Sequence, residues 1–345
     1  MACFSVHQKQ ALGLLLSHAS EQTRVRRAGL FHLPGSMAIM VHSRVCVATN
    51  VQKSIAERKG GSRHGLTGPN TFSILLLPGH MKLTAALVSS KAEKTDEAKS
   101  LDFSKCKITE VEDISFCVSL RKLTLSHNSI KNSKSVAALR HLPSLTWLDL
   151  SHNELTEIDG VCQIQSLNVL NVSNNKIDIV STRIVTMVHL QAFIATDNGI
   201  TALPSLPPNL DTIVISRNKI EDLGSCLRGL ELLKKLSASH NLLRSLPDVS
   251  KCASLKELRL NNNRIHTLGN KVVIPTGTSI IDLGKNCLTT FESLEIIRNL
   301  PALRSLNISG NPWKEDDISQ KVRDSIKTLN ILDNQRIVEK KRSNK

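Results

Sequence analysis

The side chains in this sequence that could bind a metal or take part in catalysis are those of three histidines at related positions, two aspartates between apolar residues, and eight scattered cysteines. His127, His152 and His240 could bind a metal, but no acidic residue or cysteine joins them at the spacing of a metal site. Asp149 and Asp282 lie too many repeats apart to act as an acid–base pair. None of the cysteines forms a C-x-x-C pair. We therefore expect no enzymatic activity, no metal and no cofactor.

An internal repeat positions these residues. The pattern L-x-x-L-x-L-x-x-N-x-L recurs, with 20 to 25 residues between successive Asn slots. The slot residues are Cys106, Asn128, Asn153, Asn175, Asn198, Asn218, Asn241, Asn263, Asn286 and Asn311. The x-L-x-L-x part alternates as a short strand does, with leucines on one side and variable residues on the other. We therefore predict a stack of similar units whose strands pair in parallel.

These repeats resemble the intracellular leucine-rich-repeat class, whose repeats have about 22 residues. The resemblance covers about residues 101–313 and is carried by copies such as LRKLTLSHNSI and LKELRLNNNRI. The class includes the regulatory subunit of protein phosphatase 1, the leucine-rich dynein light chain and the spliceosomal A-prime protein, and the chain looks most like its plant-type members. It implies an α/β solenoid, a horseshoe of about ten repeats with a parallel sheet on its concave face. It also implies that the slot asparagines bond backbone groups of neighbouring turns and form a structural ladder.

The resemblance extends to both ends of the repeats, which occupy residues 98–313. Residues 81–97 look like the helical segment that precedes the first repeat, and we expect a helix over 85–94 to cover the edge of the core. Residues 314–337 resemble the C-terminal cap of the class. Residues 338–345 are predicted to form a short basic tail.

Residues 1–80 contain no repeat and few acids. Three interpretations compete for them: a disordered or artefactual extension with Met81 as the working start, an organellar transit peptide, and a folded functional domain. The transit-peptide interpretation is based on residues 1–47, which contain arginine and almost no acidic residue. We favour the extension because the repeats all follow Met81.

Most of the cysteines fall where a repeat would bury a small apolar residue. They are Cys3, Cys46, Cys106, Cys117, Cys162, Cys226, Cys252 and Cys287. We predict reduced thiols in the core of an intracellular protein rather than disulfides. This interpretation and the class resemblance predict a cytoplasmic or nuclear location, with organellar import through residues 1–47 as the alternative.

The outward residues of the central strands are unusually apolar. Strand alternation places them on the concave face, whereas Leu148, Leu170, Phe193 and Ile213 beside them point inward. The outward apolar residues are Trp147, Val169, Ala192, Ile194 and Val214, and the basic residues that flank them are Arg121, Lys122, Lys234, Lys235, Lys256 and Arg259. An apolar stripe with a charged rim is typical of a protein interface, with Trp147 as its anchor. The alternative is that Trp147 packs onto neighbouring repeats and the face merely tolerates apolar residues.

The net charge of +15 is concentrated towards the two ends of the chain, so it is weak evidence for nucleic-acid binding. No apolar run is long enough to span a bilayer. We therefore expect a monomeric scaffold or regulatory subunit that binds another protein, with a phosphatase or a cytoskeletal complex as candidate partners and no membrane contact. A ribonucleoprotein component that contacts RNA is the alternative, although 3% aromatic residues and no tyrosine leave few side chains for base stacking.

Overall fold

The structure is a computed structural model that describes residues 81–269 and 272–337. Short strands recur along this part of the chain, and between residues 122 and 307 they follow the spacing of the sequence repeat. They are β1 (Met81–Leu83), β2 (Ser100–Asp102), β3 (Ile108–Val111), β4 (Lys122–Thr124), β5 (Trp147–Asp149), β6 (Val169–Asn171), β7 (Ala192–Ile194), β8 (Thr212–Val214), β9 (Lys235–Ser237), β10 (Glu257–Arg259), β11 (Ile280–Asp282), β12 (Ser305–Asn307), β13 (Ile331–Leu332) and β14 (Gln335–Arg336). The expectations for residues 1–80 and for the basic tail at 338–345 lie outside the described residues.

Twelve of these strands form one sheet, in the order β2, β4, β5 and onward to β14. Adjacent strands from β2 to β13 pair in parallel, because the strand of each repeat runs in the same direction as the strand of the repeat before it. The register matches repeat to repeat, so Leu148 lies between Leu123 and Leu170. In the three-residue strands of this sheet, from β2 to β12, the central residue is buried, and the residues on either side of it lie on the opposite, open face of the sheet.

The segments that return from one strand to the next are short and irregular. Four include 3₁₀ helices, at Ser133–His141, Val161–Gln163, Thr182–Thr186 and Phe291–Leu294, the last of which continues into helix Glu295–Arg298. The segment 201–208 contains no helix, because Pro204, Pro207 and Pro208 disfavour one. Aliphatic residues from the strands and the returns form one continuous core.

The N-terminal cover of the core differs from the expected helix over 85–94. The helix is only Ala85–Ser89, because the Ser90 hydroxyl donates to the Leu87 carbonyl at 2.7 Å and serine disfavours continuation. Strand β1 contributes the rest of the cover by pairing in parallel with β3. Met81, Leu83 and Val88 are buried there, so the first layer of aliphatic residues is not left open to solvent.

The C-terminal segment closes the other end of the sheet. Helix Ile318–Ser325 buries Ile318 and Val322, and β13 then adds in parallel to β12. The backbone N–H of Ile308 donates to Asp333 Oδ1 at 2.8 Å, which ties the turn after β13 to the last repeat. Strand β14 pairs antiparallel with β13, so the sheet ends in a two-residue hairpin strand rather than a long free edge.

Six cysteines lie in the described residues, and all six are free thiols. Cys117, Cys162, Cys226 and Cys252 are buried, as the repeat predicts, whereas Cys287 is exposed. Burial raises the pKa of Cys162 and of Cys226 to about 12. These buried thiols therefore stay protonated at neutral pH and act as small apolar core residues.

Candidate protein-binding face

The open face of the sheet presents two rows of side chains, which we name by their place in each strand. The first row precedes the buried central residue, and the second row follows it. From β4 to β10 the first row is Lys122, Trp147, Val169, Ala192, Thr212, Lys235 and Glu257. Over the same strands the second row is Thr124, Asp149, Asn171, Ile194, Val214, Ser237 and Arg259.

The apolar stripe predicted from the sequence is divided between these rows. Trp147, Val169 and Ala192 are neighbours in the first row, whereas Ile194 and Val214 are neighbours in the second. Strand pairing places Val169 beside Ala192 and not beside Ile194. The stripe therefore runs diagonally and changes row at β7.

The five residues of the apolar stripe are all half-buried, so each keeps a surface that a partner can cover. The central residues beside them, from Leu148 to Ile213, are fully buried. The Trp147 ring is in contact with a neighbouring side chain, since the Lys122 Nζ is 4.1 Å from the centroid of the ring. This is the geometry of a cation–π contact.

The acidic and amide residues of the second row bind their own backbone. Asp149 Oδ1 accepts from the N–H of Ser151 at 2.8 Å, and Asn171 Oδ1 accepts from the N–H of Ser173 at 3.1 Å. Asp282 makes the same contact with the N–H of Gly284 at 3.1 Å. Asp149 and Asp282 thus have a structural use at separate strand ends. Ile194 and Val214 interrupt this polar row with apolar side chains.

The two basic flanks of the apolar stripe have different electrostatic environments. Lys234 Nζ lies 3.4 Å from Asp211, and Lys235 Nζ lies 3.1 Å from Glu257, which also pairs with Arg259. Burial acts to raise the pKa of Glu257, but hydrogen bonds and charge from Lys235 and Arg259 hold it below its usual value. Arg121 and Lys122, on the other flank, are exposed and form no ion pair with any residue in 81–269 or 272–337.

Each of the three histidines lies in the tight turn that follows the strand of its own repeat. His127, His152 and His240 have φ near +55°, +54° and +55°, and the same turn position holds Asn174 and Asn262 in other repeats. The rings of His127 and His152 stack with centroids 4.0 Å apart and planes 8° apart. No cluster of three or more metal-ligating side chains occurs in the part of the chain that the structure describes.

The slot asparagines connect successive repeats. Asn153 Nδ2 donates to the carbonyls of Leu125 and Leu150 at 2.9 and 3.0 Å, and its Oδ1 accepts from the N–H of Ile130 at 3.0 Å. The same three kinds of bond are made by Asn128, Asn175, Asn198, Asn218, Asn241, Asn263, Asn286 and Asn311. Cys106 in the first slot reaches only the carbonyl of Ser104, at 3.3 Å. These asparagines therefore join the backbones of neighbouring repeats.

The sequence interpretation missed two features of this face. A row of small hydroxyl residues follows the second row; its members are Ser104, Ser126, Ser151, Ser173, Thr196, Ser216 and Ser239. The hydroxyls of Ser104 and Ser126 lie 2.9 Å apart, so this row is partly occupied by contacts of its own. The acids Asp211 and Glu257, which neutralise one flank, were also missed. An alignment of the repeats could have revealed these acids, because each occupies a repeat position that holds a basic residue in an adjacent copy.

Family models for leucine-rich repeats match the chain in several places. A model described as "Leucine rich repeat" matches residues 97–155 and 253–312, and one described as "Leucine Rich repeats (2 copies)" matches 143–182. Keratocan from Coturnix japonica is 28% identical over 206 residues, which are 56% of this chain and 54% of keratocan. Toll-like receptor 2 type-2 from Gallus gallus is 27% identical over 155 residues, which are 44% of this chain and 17% of the receptor. The chain thus spans about half the length of keratocan and less of the receptor.

Two solved structures share the fold. The chain aligns with TLR13 in its complex with ssRNA13 at a TM-score of 0.59 and 22% identity, over 68% of this chain and 35% of that one. It aligns with the functional domain of InlJ from Listeria monocytogenes at a TM-score of 0.51 and 22% identity, over 72% of this chain and 56% of that one. The predicted fold is therefore confirmed as a leucine-rich-repeat horseshoe, and the open face of the sheet is its concave face.

The comparisons correct the predicted class and location. The curated relatives include keratocans and Toll-like receptors, which support leucine-rich repeats in general and not specifically the intracellular 22-residue class. The predicted cytoplasmic or nuclear location is wrong, because keratocan is secreted and the Toll-like receptors are membrane proteins. Within residues 81–269 and 272–337, no helix has the length and apolarity of a membrane span.

Proposed function

We propose that this leucine-rich-repeat protein is a non-enzymatic scaffold that holds another protein on the concave face of its horseshoe. The observation that carries the proposal is the apolar stripe. It consists of half-buried side chains on four adjacent strands, and it crosses the second row at Ile194 and Val214. Elsewhere in that row, residues such as Asp149 and Asn171 engage their own backbone. Covering such a stripe removes apolar surface from water, which favours association.

Trp147 is the proposed anchor of this interface. Tryptophan is enriched among residues whose truncation costs an interface about 2 kcal/mol or more, because it buries a large rigid surface. Its position at one end of the stripe, with the Lys122 ammonium over one part of the ring, combines an apolar contact with a charged rim. The proposal of a regulatory role rests on the same surface, which holds a partner without performing chemistry on it.

RNA binding is the second candidate, and the complex of TLR13 with ssRNA13 is the observation that favours it. That likeness reaches 22% identity, which supports the shared fold and not a shared ligand. Single-stranded RNA is usually held by several aromatic side chains that stack on its bases. In the first and second rows of β4 to β10, Trp147 is the one aromatic residue. We therefore favour a protein partner.

The test compares proteins captured by the wild-type chain and by Ile194→Asp, which places a charge in the middle of the apolar stripe. Val185→Asp is the matched control, because Val185 is exposed in the 3₁₀ helix Thr182–Thr186 and lies off the concave face. A partner of this face should be lost from Ile194→Asp and kept by Val185→Asp, with both variants melting as the wild type does. Retention of every captured protein by a folded Ile194→Asp chain would contradict the proposal.

A further inference from the structure

The two basic flanks of the concave face are not equivalent, and the difference bears on what the face can bind. The carboxyl-terminal flank consists of Lys234, Lys235, Lys256 and Arg259. Three of these cations already have acidic partners, and Lys256 Nζ donates to the carbonyl of Gly277 at 3.3 Å. An incoming anion would have to compete with those contacts, so this flank attracts it less than a flank of unpaired cations would.

The amino-terminal flank, which we define as Lys99, Arg121 and Lys122, is uncompensated. All three side chains are exposed and none forms an ion pair with a residue that the structure describes. Their backbones are adjacent, because the Lys99 carbonyl accepts from the N–H groups of Arg121 and Lys122 at 2.9 and 3.0 Å. The three cationic residues therefore start from adjacent backbone positions, and Lys122 is paired with Trp147 on the next strand.

One acid close to this flank, Asp102, is already engaged. Asp102 follows the central residue of β2, and its Oδ1 accepts from the N–H and the hydroxyl of Ser104 at 2.8 and 2.6 Å. These bonds to Ser104, with smaller contributions from the charges of Lys91 and Lys122, lower the pKa of Asp102 below its usual value. Asp102 thus serves the turn after its strand and leaves the cations of the flank available to a partner.

We propose that the concave face binds an acidic–apolar peptide segment, with its carboxylates on Lys99, Arg121 and Lys122 and its apolar side chains along the stripe from Trp147 to Val214. This inference rests on the proposed function and adds the chemistry and direction of the partner. Arginine favours carboxylates because its planar guanidinium can donate two parallel hydrogen bonds to one carboxylate. A nucleic acid would satisfy the cations but would find little to stack on along the aliphatic part of the stripe.

The dimensions of the face suit a short extended segment. From β2, which follows Lys99, to β8 the sheet has five strand spacings, which cover about 24 Å at about 4.8 Å each. An extended chain of about seven residues spans that length. A linear motif with acids at one end and aliphatic residues at the other would therefore match the whole site.

The test uses fluorescein-labelled peptides of known sequence and the full chain. The first peptide carries three glutamates followed by Gly-Leu-Val-Ile-Leu. In the second peptide, lysines replace the glutamates. The third peptide has the sequence of the first in reverse order. Anisotropy should show the first peptide binding about tenfold tighter than the lysine peptide at about 0.15 M salt. Because the chain has two tryptophans, Trp147 and Trp313, the emission change on binding should disappear in Trp147→Phe.

The decisive comparison is between two matched double variants. Arg121→Gln with Lys122→Gln should weaken the first peptide about tenfold, whereas Lys234→Gln with Lys235→Gln should change its binding by less than about twofold. Both double variants remove two positive charges, and they do so at equivalent repeat positions. Equal losses in the two variants would mean that only total charge matters and would overturn the inference.

Two other outcomes would also overturn it. The first is an acidic peptide that binds no tighter than its lysine counterpart. The second is poly(U) RNA that binds tighter than the acidic peptide and is lost with Arg121 and Lys122, which would make the flank a phosphate site. In either case a protein partner lost only from Ile194→Asp would leave the proposed function standing, whereas full retention by that variant would remove the proposed function as well.

Discussion

The ammonium of Lys122 lies 4.1 Å from the centroid of the Trp147 ring, and the two residues are directly paired across strands β4 and β5. The contact joins the amino-terminal flank to the apolar stripe. It also limits the motion of a large side chain on an otherwise open face. An anchor that is already held in place loses less freedom when a partner binds.

This pairing predicts a measurable coupling between the two side chains. In a double-mutant cycle on Lys122→Ala and Trp147→Ala, the free energies of unfolding should depart from additivity by about 0.5–1 kcal/mol, the range of exposed cation–π contacts. Urea denaturation of the four proteins provides the measurement. Strict additivity would show that Lys122 contributes nothing by lying over the ring.

The slot asparagines should be costly to remove. Asn175 Nδ2 donates to the carbonyls of Leu150 and Val172 at 3.0 and 2.9 Å, and its Oδ1 accepts from the N–H of Leu155 at 2.9 Å. Asn175→Ala should lower the free energy of unfolding by about 1–3 kcal/mol, because these backbone groups lose their partner. Cys106→Asn is the control and should be neutral or stabilising. An Asn175→Ala chain as stable as the wild type would show that the ladder is not needed.

Inward and outward residues of the neighbouring strands β5 and β6 should respond in opposite ways. Leu170 is fully buried, so Leu170→Ala should cost about 2–5 kcal/mol of stability through the cavity it leaves. Trp147→Ala should keep the fold but weaken partner binding by about 2 kcal/mol or more. Melting curves together with binding measurements on each variant separate the two effects. A Trp147→Ala chain that unfolds as Leu170→Ala does would place Trp147 in the core.

The described fold should not require residues that precede Met81. Met81 and Leu83 are buried and pair with β3, so a chain that begins at Met81 should keep the melting temperature of the full chain. A chain that begins at Thr84 loses β1 and should melt lower, because β3 and Val88 lose their cover. A drop of several degrees for the Met81 chain would assign residues 1–80 to the fold.

Thiol reactivity should follow burial. Because burial raises the pKa of Cys162 and Cys226 to about 12, both thiols stay protonated and unreactive at about pH 8, whereas the exposed Cys287 should be alkylated first. The measurement is the order of modification by mass spectrometry on the chain that begins at Met81. Cys287→Ser should remove the fast phase. Early modification of Cys162 would mean that its repeat opens readily.

The sequence alone determined the fold, because a repeat of this period can bury its aliphatic residues only by stacking on copies of itself. It therefore predicted the parallel sheet, the inward Leu148 and Leu170, and the outward Trp147 and Ile194. It could not predict the location, since cysteines in core positions are compatible with more than one compartment. There the relatives keratocan and Toll-like receptor 2 overturned the interpretation.

The tertiary structure decided how the outward residues combine. The diagonal course of the apolar stripe depends on cross-strand register, which brings Ile194 beside Val214 and away from Val169. The difference between the flanks depends on side chains from neighbouring repeats, such as Glu257 beside Lys235. These contacts join residues twenty or more positions apart in sequence. One repeat read by itself gives the direction of each side chain, but only the stacked repeats show which charges meet a partner and which remain available to bind one.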